Sequence, residues 1–414
     1  MASTIFNRSI WRNLLFWGLC WEALMLPISI APAQWGIGLA ALGWIGMIVL
    51  QRKVSFSLGA LTIPTACYIA ICIITSACAE RSGHSLTMVW HNEWLLFSAI
   101  LLIALQPTTA ELKRIIIFLV ISGVFISLFG IVQNFTGIMR HGTSPTDFMS
   151  YKIFGMNTWR SQGFFSHTLS YSSVMAMIFF FIAGLLIAGY KEQKRFLVIA
   201  CVLAAVVVFD AYSRGTWGSV VVTAIGLGFV VTNKIIRRVI FTVVAAVLIV
   251  SALTPQVRDR VVYTTQADTS NTDRENLWKI AVAISRDHPV MGIGSNNWDL
   301  YYPRYKAMIT NGDITHPDHP ANEYLNVLTS FGIPGLAAYL WMWVAFLIIT
   351  IKRYRKEQEP LIRGILLGSA AAIFSVLVAQ FTQDIYHDFT DQLTWWFLAG
   401  LGLVAAAYKR DAIS

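Results

Sequence analysis

The sequence predicts an all-α polytopic membrane protein of about twelve transmembrane helices with one large, partly helical loop. Three observations carry this. Hydrophobic residues make up 56% of the chain and charged residues 13%, about half the 25% or so that a soluble domain carries, and the mean hydropathy is +0.60. Apolar runs recur along the chain at close to the length of about 20 residues that crosses hydrocarbon about 30 Å thick. Lys and Arg gather in alternate loops, the pattern of a chain that threads a membrane repeatedly. In order, the spans read as 14–31, 34–50, 56–78, 94–106, 115–136, 168–190, 196–210, 217–233 and 239–253, then 330–351, 362–383 and 393–408. The chain divides into membrane helices over 1–253, a loop over 254–329 and further membrane helices over 330–414.

The charges orient these spans. With Arg8 and Arg12 in the cytoplasm, loops on that side hold 19 Lys and Arg, whereas the short loops on the other side hold only Arg81 and Arg214. Cytoplasmic loops are the Lys/Arg-rich ones, so both termini are expected in the cytoplasm and the long loop on the outer face. The net charge of +9 then follows from topology and attraction to anionic headgroups, and calls for no nucleic-acid partner. Ala31-Pro-Ala33 has the form of a signal-peptidase site, but removing the first span would invert the terminus that the remaining charges fit. The five Cys lie in or beside apolar spans without a CxxC, which predicts neither a disulfide framework nor a zinc site.

Chemistry in water is then confined to the outer loops. Arg214 is the lone basic residue of a short turn, Asp210-Ala-Tyr212-Ser213-Arg214-Gly215, between two spans. A charge so close to hydrocarbon is costly and is usually paired or functional. It is read either as snorkelling or pairing with Asp210, or as an anion contact. Arg160 precedes a span beside Trp159 and is read as an interfacial anchor or as a second anion contact, since guanidinium offers a planar fork suited to phosphate oxygens. In the large loop, Asn271 to Ile284 has the pattern of a short amphipathic helix carrying Arg274 and Trp278. Pro289-Val-Met-Gly292-Ile-Gly294 reads as a tight turn, because a GxG with no preceding strand is weak evidence for phosphate binding.

His316-Pro-Asp-His319-Pro-Ala-Asn322-Glu323 closes the loop at the mouth of a span. Imidazole suits proton transfer near neutral pH, so His319 and His316 are candidate catalytic residues. The prolines break any helix that would pair them on a metal. A P-loop, G-x-S-x-G, H-E-x-x-H and loop D-x-D are all missing, and Tyr386-His387-Asp388 reads as turn polarity.

The order of these motifs resembles the bacterial O-antigen ligase and polymerase superfamily over roughly 150–345. The matching stretches are Arg160-Ser-Gln-Gly163, Ser213-Arg214-Gly215, Arg274-Glu-Asn-Leu-Trp278 with Pro289-Val-Met-Gly292-Ile-Gly294, and His319-Pro-Ala-Asn322, with nine residues between Asn322 and Gly332-Ile-Pro-Gly335. The resemblance implies a GT-C-like glycosyltransferase of the bacterial inner membrane with its site facing the periplasm. It implies transfer of O-antigen from undecaprenyl pyrophosphate to lipid A-core, with no cofactor and no metal, and inversion at the anomeric carbon. Arg160, Arg214 and Arg274 would bind the pyrophosphate, and His319, or failing it His316, would act as general base. Asn322, Tyr212 and Trp278 would support them. The chain departs from the family where members read His-x-His-Asn: the second His is Ala321 here. O-antigen polymerase and protein O-oligosaccharyltransferase share the motif set. The chain's length favours the ligase, since protein-modifying members often carry a further C-terminal domain. A transporter of lipid-linked sugars is the reading from another class, and the lack of a visible repeat weighs against it.

Overall fold

The computed structural model describes residues 2–51, 58–138, 150–153, 156–253, 269–310, 312–314, 317–383 and 389–408. Within these, the chain is a bundle of helices: α1 (Ala2–Met25), α2 (Ile30–Gln51), α3 (Thr62–Ala77), α4 (Ser82–Glu93), α5 (Phe97–Leu105), α6 (Thr109–Thr136), α7 (Thr168–Ile187), α8 (Lys194–Asp210), α9 (Arg214–Val230) and α10 (Lys234–Leu253). The loop contributes α11 (Thr269–Asp287) and α12 (Trp298–Ile309), and the chain closes with α13 (Glu323–Lys356), α14 (Pro360–Ala379) and α15 (Phe389–Ala407). One antiparallel hairpin, β1 (Ser150–Ile153) with β2 (Met156–Trp159), precedes α7, with Ser150 opposite Trp159.

Each expected span falls on a helix, with one correction. The span read at 94–106 is the second half of a longer stretch, Ser82–Leu105, in which a 3-10 turn at Trp94–Leu96 joins α4 to α5. Its polar first half, with His84, His91, Asn92 and Glu93, hid it from a search for continuous apolar runs. Among the described residues, seven helical stretches are long and apolar enough to cross a membrane, and Arg214–Val230 is a shorter apolar helix. The chain is therefore a polytopic membrane protein.

Burial sorts the helices into layers. α7 and α14 pack together and bury most of their residues, Tyr171 and Ile178 on one and Ile365 and Ile373 on the other among them. A helix apolar on all sides belongs in the interior. α2 instead leaves Trp35, Leu42, Ile45 and Val49 exposed, a face suited to hydrocarbon. At the end bearing the basic loops, Thr108 and Glu111 form a capping box that starts α6. Arg12 grips the same Glu111 with both guanidinium nitrogens at 2.5 and 2.8 Å, which ties α1 to α6.

α13 is broken rather than continuous. Gly332 has φ 69° and ψ −172°, and separates a short first half, 323–331, from the long second half. The loop packs onto this break through its own small core of Leu277, Ile280, Ile284, Ile293, Trp298 and Tyr305, against which Ala321 and Leu325 close.

Candidate functional site

One corner of the site is built where the chain enters α7 and α9. The Arg160–Gly163 segment lies across two neighbours. Arg160 Nε donates to Ala211 O at 3.0 Å and Ser161 N to Asp210 O at 3.3 Å. On the other side, Gln133 Oε1 accepts the N–H groups of Gln162 and Gly163, both at 2.9 Å, and Ser161 Oγ donates to Gly130 O. Arg160 is thereby fixed on the turn that carries Arg214. That turn is itself shaped: Tyr212 is buried at φ 50°, and Phe209 stacks on Trp217 with centroids 5.1 Å apart. Ser213 caps α9 by accepting Thr216 N, so Arg214 is the first residue of the helix. A helix N-terminus carries roughly half a positive charge and favours anions. Arg160 and Arg214, both half-buried, add two full charges there. Gln162 Nε2 and Gln383 Oε1 are buried polar atoms with no partner, groups a bound ligand would satisfy.

The second corner is the start of α13. Asn322 accepts Leu325 N through Oδ1 at 3.1 Å, as an N-cap, while its Nδ2 donates to Phe381 O at 2.9 Å. Glu323 N donates to Gln380 O at 3.0 Å. Both partners sit just past the end of α14. The same segment reaches the first corner, because Gln383 Nε2 donates to Ser213 Oγ at 3.1 Å and to Thr216 Oγ1 at 3.2 Å. Residues 380–383 thus join the Arg corner to the His319–Asn322 corner. The sequence places Gln383 at the head of a polar patch but assigns these glutamines no role, although amides at the exit of an apolar span are a legible signal of a buried polar joint.

His319 is held by its own turn. Its Nδ1 accepts Ala321 N at 3.1 Å, and Ala321 sits at φ 55°. With Nδ1 accepting, a neutral ring carries its proton on Nε2. His316 lies outside the described residues, as do Tyr386, His387 and Asp388.

Arg274 and Trp278 ride on α11, as the amphipathic pattern predicts. The buried face of that helix, Leu277, Ile280 and Ile284, holds it over the start of α13. The Tyr302 hydroxyl on α12 is pushed above its ordinary range by burial and then by Asp273, Asp313 and Asp318. Arg160 and Arg214 share the first corner through Ala211, while Arg274 stands on the His319 side.

Pro289–Gly294, read as a plain turn, is the clamp on the broken helix. Ile293 N and Gly294 N donate to Thr329 O and Ser330 O, both at 2.9 Å, and Ile333 N donates to Pro289 O at 2.8 Å. The end of the first half-helix is capped by the loop instead of by its own next turn. The fit requires glycine: a Cβ on Gly332 would stand 2.3 Å from Val290 O, and one on Gly292 2.4 Å from Ser330 O, both at positive φ. Beyond the clamp, the turn between α3 and α4 grips the loop. Ser295 N donates to Ser76 Oγ, Ser85 Oγ donates to Ser295 O, and Asn297 Nδ2 donates to Ser85 Oγ. Between clamp and turn a small notch of about 10 Å³, room for roughly one water, opens to the surface and is lined by Asn296, Trp298, Asp318, His319, Thr329 and Ser330 among others.

Residues 199–340 match the family described as O-antigen ligase. This stretch takes in Arg214, Arg274, His319 and Gly332, and begins after Arg160. No curated protein matches the chain.

Proposed function

We propose that this chain, whose residues 199–340 match the O-antigen ligase family, is an inverting, metal-independent glycosyltransferase that moves O-antigen from undecaprenyl pyrophosphate to lipid A-core. In this reading the twelve helices that match the expected spans all cross the inner membrane, both termini are cytoplasmic, and the site faces the periplasm. One observation carries the reading: residues 380–383 bind the Arg214 turn and the His319–Asn322 turn at once, so an anion site and a proton-handling group sit on one joint.

The chemistry follows from that pairing. A polyprenyl pyrophosphate leaves as an anion. Arg160 and Arg214 at the head of α9, with Arg274 approaching from the loop, neutralise the charge that develops as the glycosidic bond breaks. Donors aimed at such charge are worth about 10²–10³ in rate each. The attacking sugar hydroxyl loses its proton to His319. At rest the Nδ1 lone pair is taken by the Ala321 N–H, so the acceptor has to displace that bond for Nδ1 to receive the proton. Asn322 fixes the turn from which His319 projects, Tyr212 shapes the Arg214 turn, and Trp278 stands one turn from Arg274 on α11. In-line displacement then inverts the anomeric carbon.

The test is transfer by the purified protein from a lipid-linked glycan to lipid A-core in EDTA. Glycan on lipid A-core is the expected product. Glycan lengthening on the carrier would make the chain a polymerase, appearance on a protein Ser or Thr a protein transferase, and movement across a bilayer without transfer a transporter.

A further inference from the structure

The notch beside His319 has a character opposite to that of the Arg corner. We propose that it is the acceptor-sugar subsite, in which Asn296 and Asp318 bind hydroxyls of the acceptor's terminal ring and hold one of them against His319. The proposal rests on the reading of His319 as the base, and names the substrate that reaches it.

Electrostatics selects the ligand class. Thr329 and Ser330, whose carbonyls end the first half of α13 and each already accept one loop N–H, line the notch with their second lone pairs unassigned. A helix C-terminus carries about half a negative charge. Asp318 adds a full one, and no Lys or Arg is among the lining residues. Phosphate is disfavoured there, whereas a neutral polyol, rich in O–H donors, is suited to carbonyl and carboxylate acceptors.

Shape narrows it further. Trp298, Thr329 and Ser330 are all buried, while Asn296 and Asp318 are exposed at the mouth. The deep part admits a single hydroxyl, and a sugar ring stays at the mouth beside Asn296 and Asp318. The mouth is also rigid. Asn296 is held at φ 56° by the Ser76 and Ser85 contacts of its two neighbours, and its Nδ2 lies 3.2 Å from His84 Nε2. That contact occupies one edge of the amide and leaves its oxygen for a hydroxyl. Trp298 Nε1 donates to Pro317 O at 2.6 Å, which fixes the turn bearing Asp318 and His319. An amide, a carboxylate and an imidazole held around a hydroxyl-sized space are the donor and acceptor set a sugar edge requires.

The test uses two probes on the detergent-solubilised full chain: a lipid-free core oligosaccharide, followed by saturation-transfer NMR, and inorganic pyrophosphate. Asn296→Ala and Asp318→Asn are each expected to weaken oligosaccharide binding about tenfold, the loss of one or two hydrogen bonds, while pyrophosphate affinity stays within about twofold. The same variants are expected to raise KM for lipid A-core and leave KM for the lipid-linked donor. Oligosaccharide binding unchanged in both variants, or absent in the native chain, overturns the subsite, as does an equal loss of pyrophosphate. Transfer that proceeds with unaltered acceptor KM in both variants removes the subsite and leaves the transferase. Asn296-dependent binding without any transfer removes the transferase and leaves the subsite.

Discussion

The Arg corner and the notch stand on opposite ends of two short helical pieces, and the contrast between them explains how one membrane surface handles two substrates. The Arg corner is the N-terminus of α9, with Arg160 laid against it through Ala211. The notch is the C-terminal end of the first half of α13, with Asp318 beside it. One end offers N–H groups and guanidinium, the other carbonyls and a carboxylate. In the proposed reading, a pyrophosphate and a sugar hydroxyl are sorted by sign before any shape is read. Residues 380–383 keep the two ends in register, because Gln383 binds one side while Gln380 and Phe381 bind the other.

The largest expected effect breaks the proton step. His319→Ala is expected to lower transfer by about 10²–10⁴, the usual range for a lost general base, with pyrophosphate binding intact. His319→Asn keeps an oxygen to accept the Ala321 N–H, as Asn side chains do two residues back from an amide. It is expected to fold like the native chain in thermal melts and to remain inactive. Adding Ala321→His to the His319→Ala variant restores the family's second histidine and is expected to recover part of the activity in the same assay.

Next in size, Arg214→Ala is expected to cost about 10²–10³ in kcat and to abolish pyrophosphate binding, while core-oligosaccharide binding stays unchanged. Arg214→Lys is expected to recover little, because a point charge does not reproduce a bidentate fork.

Gly332→Ala breaks the clamp without touching either ligand. The left-handed backbone alone costs about 1–3 kcal/mol, and the added Cβ has to move Val290 O. A lowered melting temperature with weaker oligosaccharide binding and near-native pyrophosphate binding is the expected result. Equal loss of both probes would show that the two ends are not separable.

The smallest effect is at Arg81. Its ion pair with Asp299, at 2.7 Å, joins two exposed side chains, and such pairs contribute about 0–1 kcal/mol. Arg81→Ala is expected to leave the melting temperature and transfer close to native. A large loss would assign the turn between α3 and α4 a larger role than that of a brace.

Much of the bundle could be read along the chain because lipid imposes a local rule: a stretch either is apolar for the length of a crossing or is not. The α11 amphipath obeyed a rule of similarly short range, whereas the break at Gly332 falls inside what reads as one span, 330–351. The stretch from Ser82 escaped because its first half carries His84, His91, Asn92 and Glu93, which interrupt the apolar run that the hydropathy rule looks for. Pro289–Gly294 escaped for another reason. Its glycines look like turn glycines, and only the distant carbonyls of Thr329 and Ser330 show that they permit backbone docking. Gln383 and the serines at 76 and 85 act across more than 150 residues, a pairing that no local pattern encodes. At the site, Arg160 and Arg214 were legible as lone charges beside hydrocarbon. Asn296 and Asp318 were not, because an exposed Asn or Asp in a polar loop is unremarkable until its neighbours are known.

The central claim is tested most directly by one assay. Purified protein is given fluorescent undecaprenyl-pyrophosphate-linked glycan and lipid A-core in EDTA, beside its Arg214→Ala and His319→Ala variants. Labelled lipid A-core accumulating with the native chain and lost in both variants is the predicted result. Label that never leaves the carrier, or that moves equally well with His319→Ala, would contradict it.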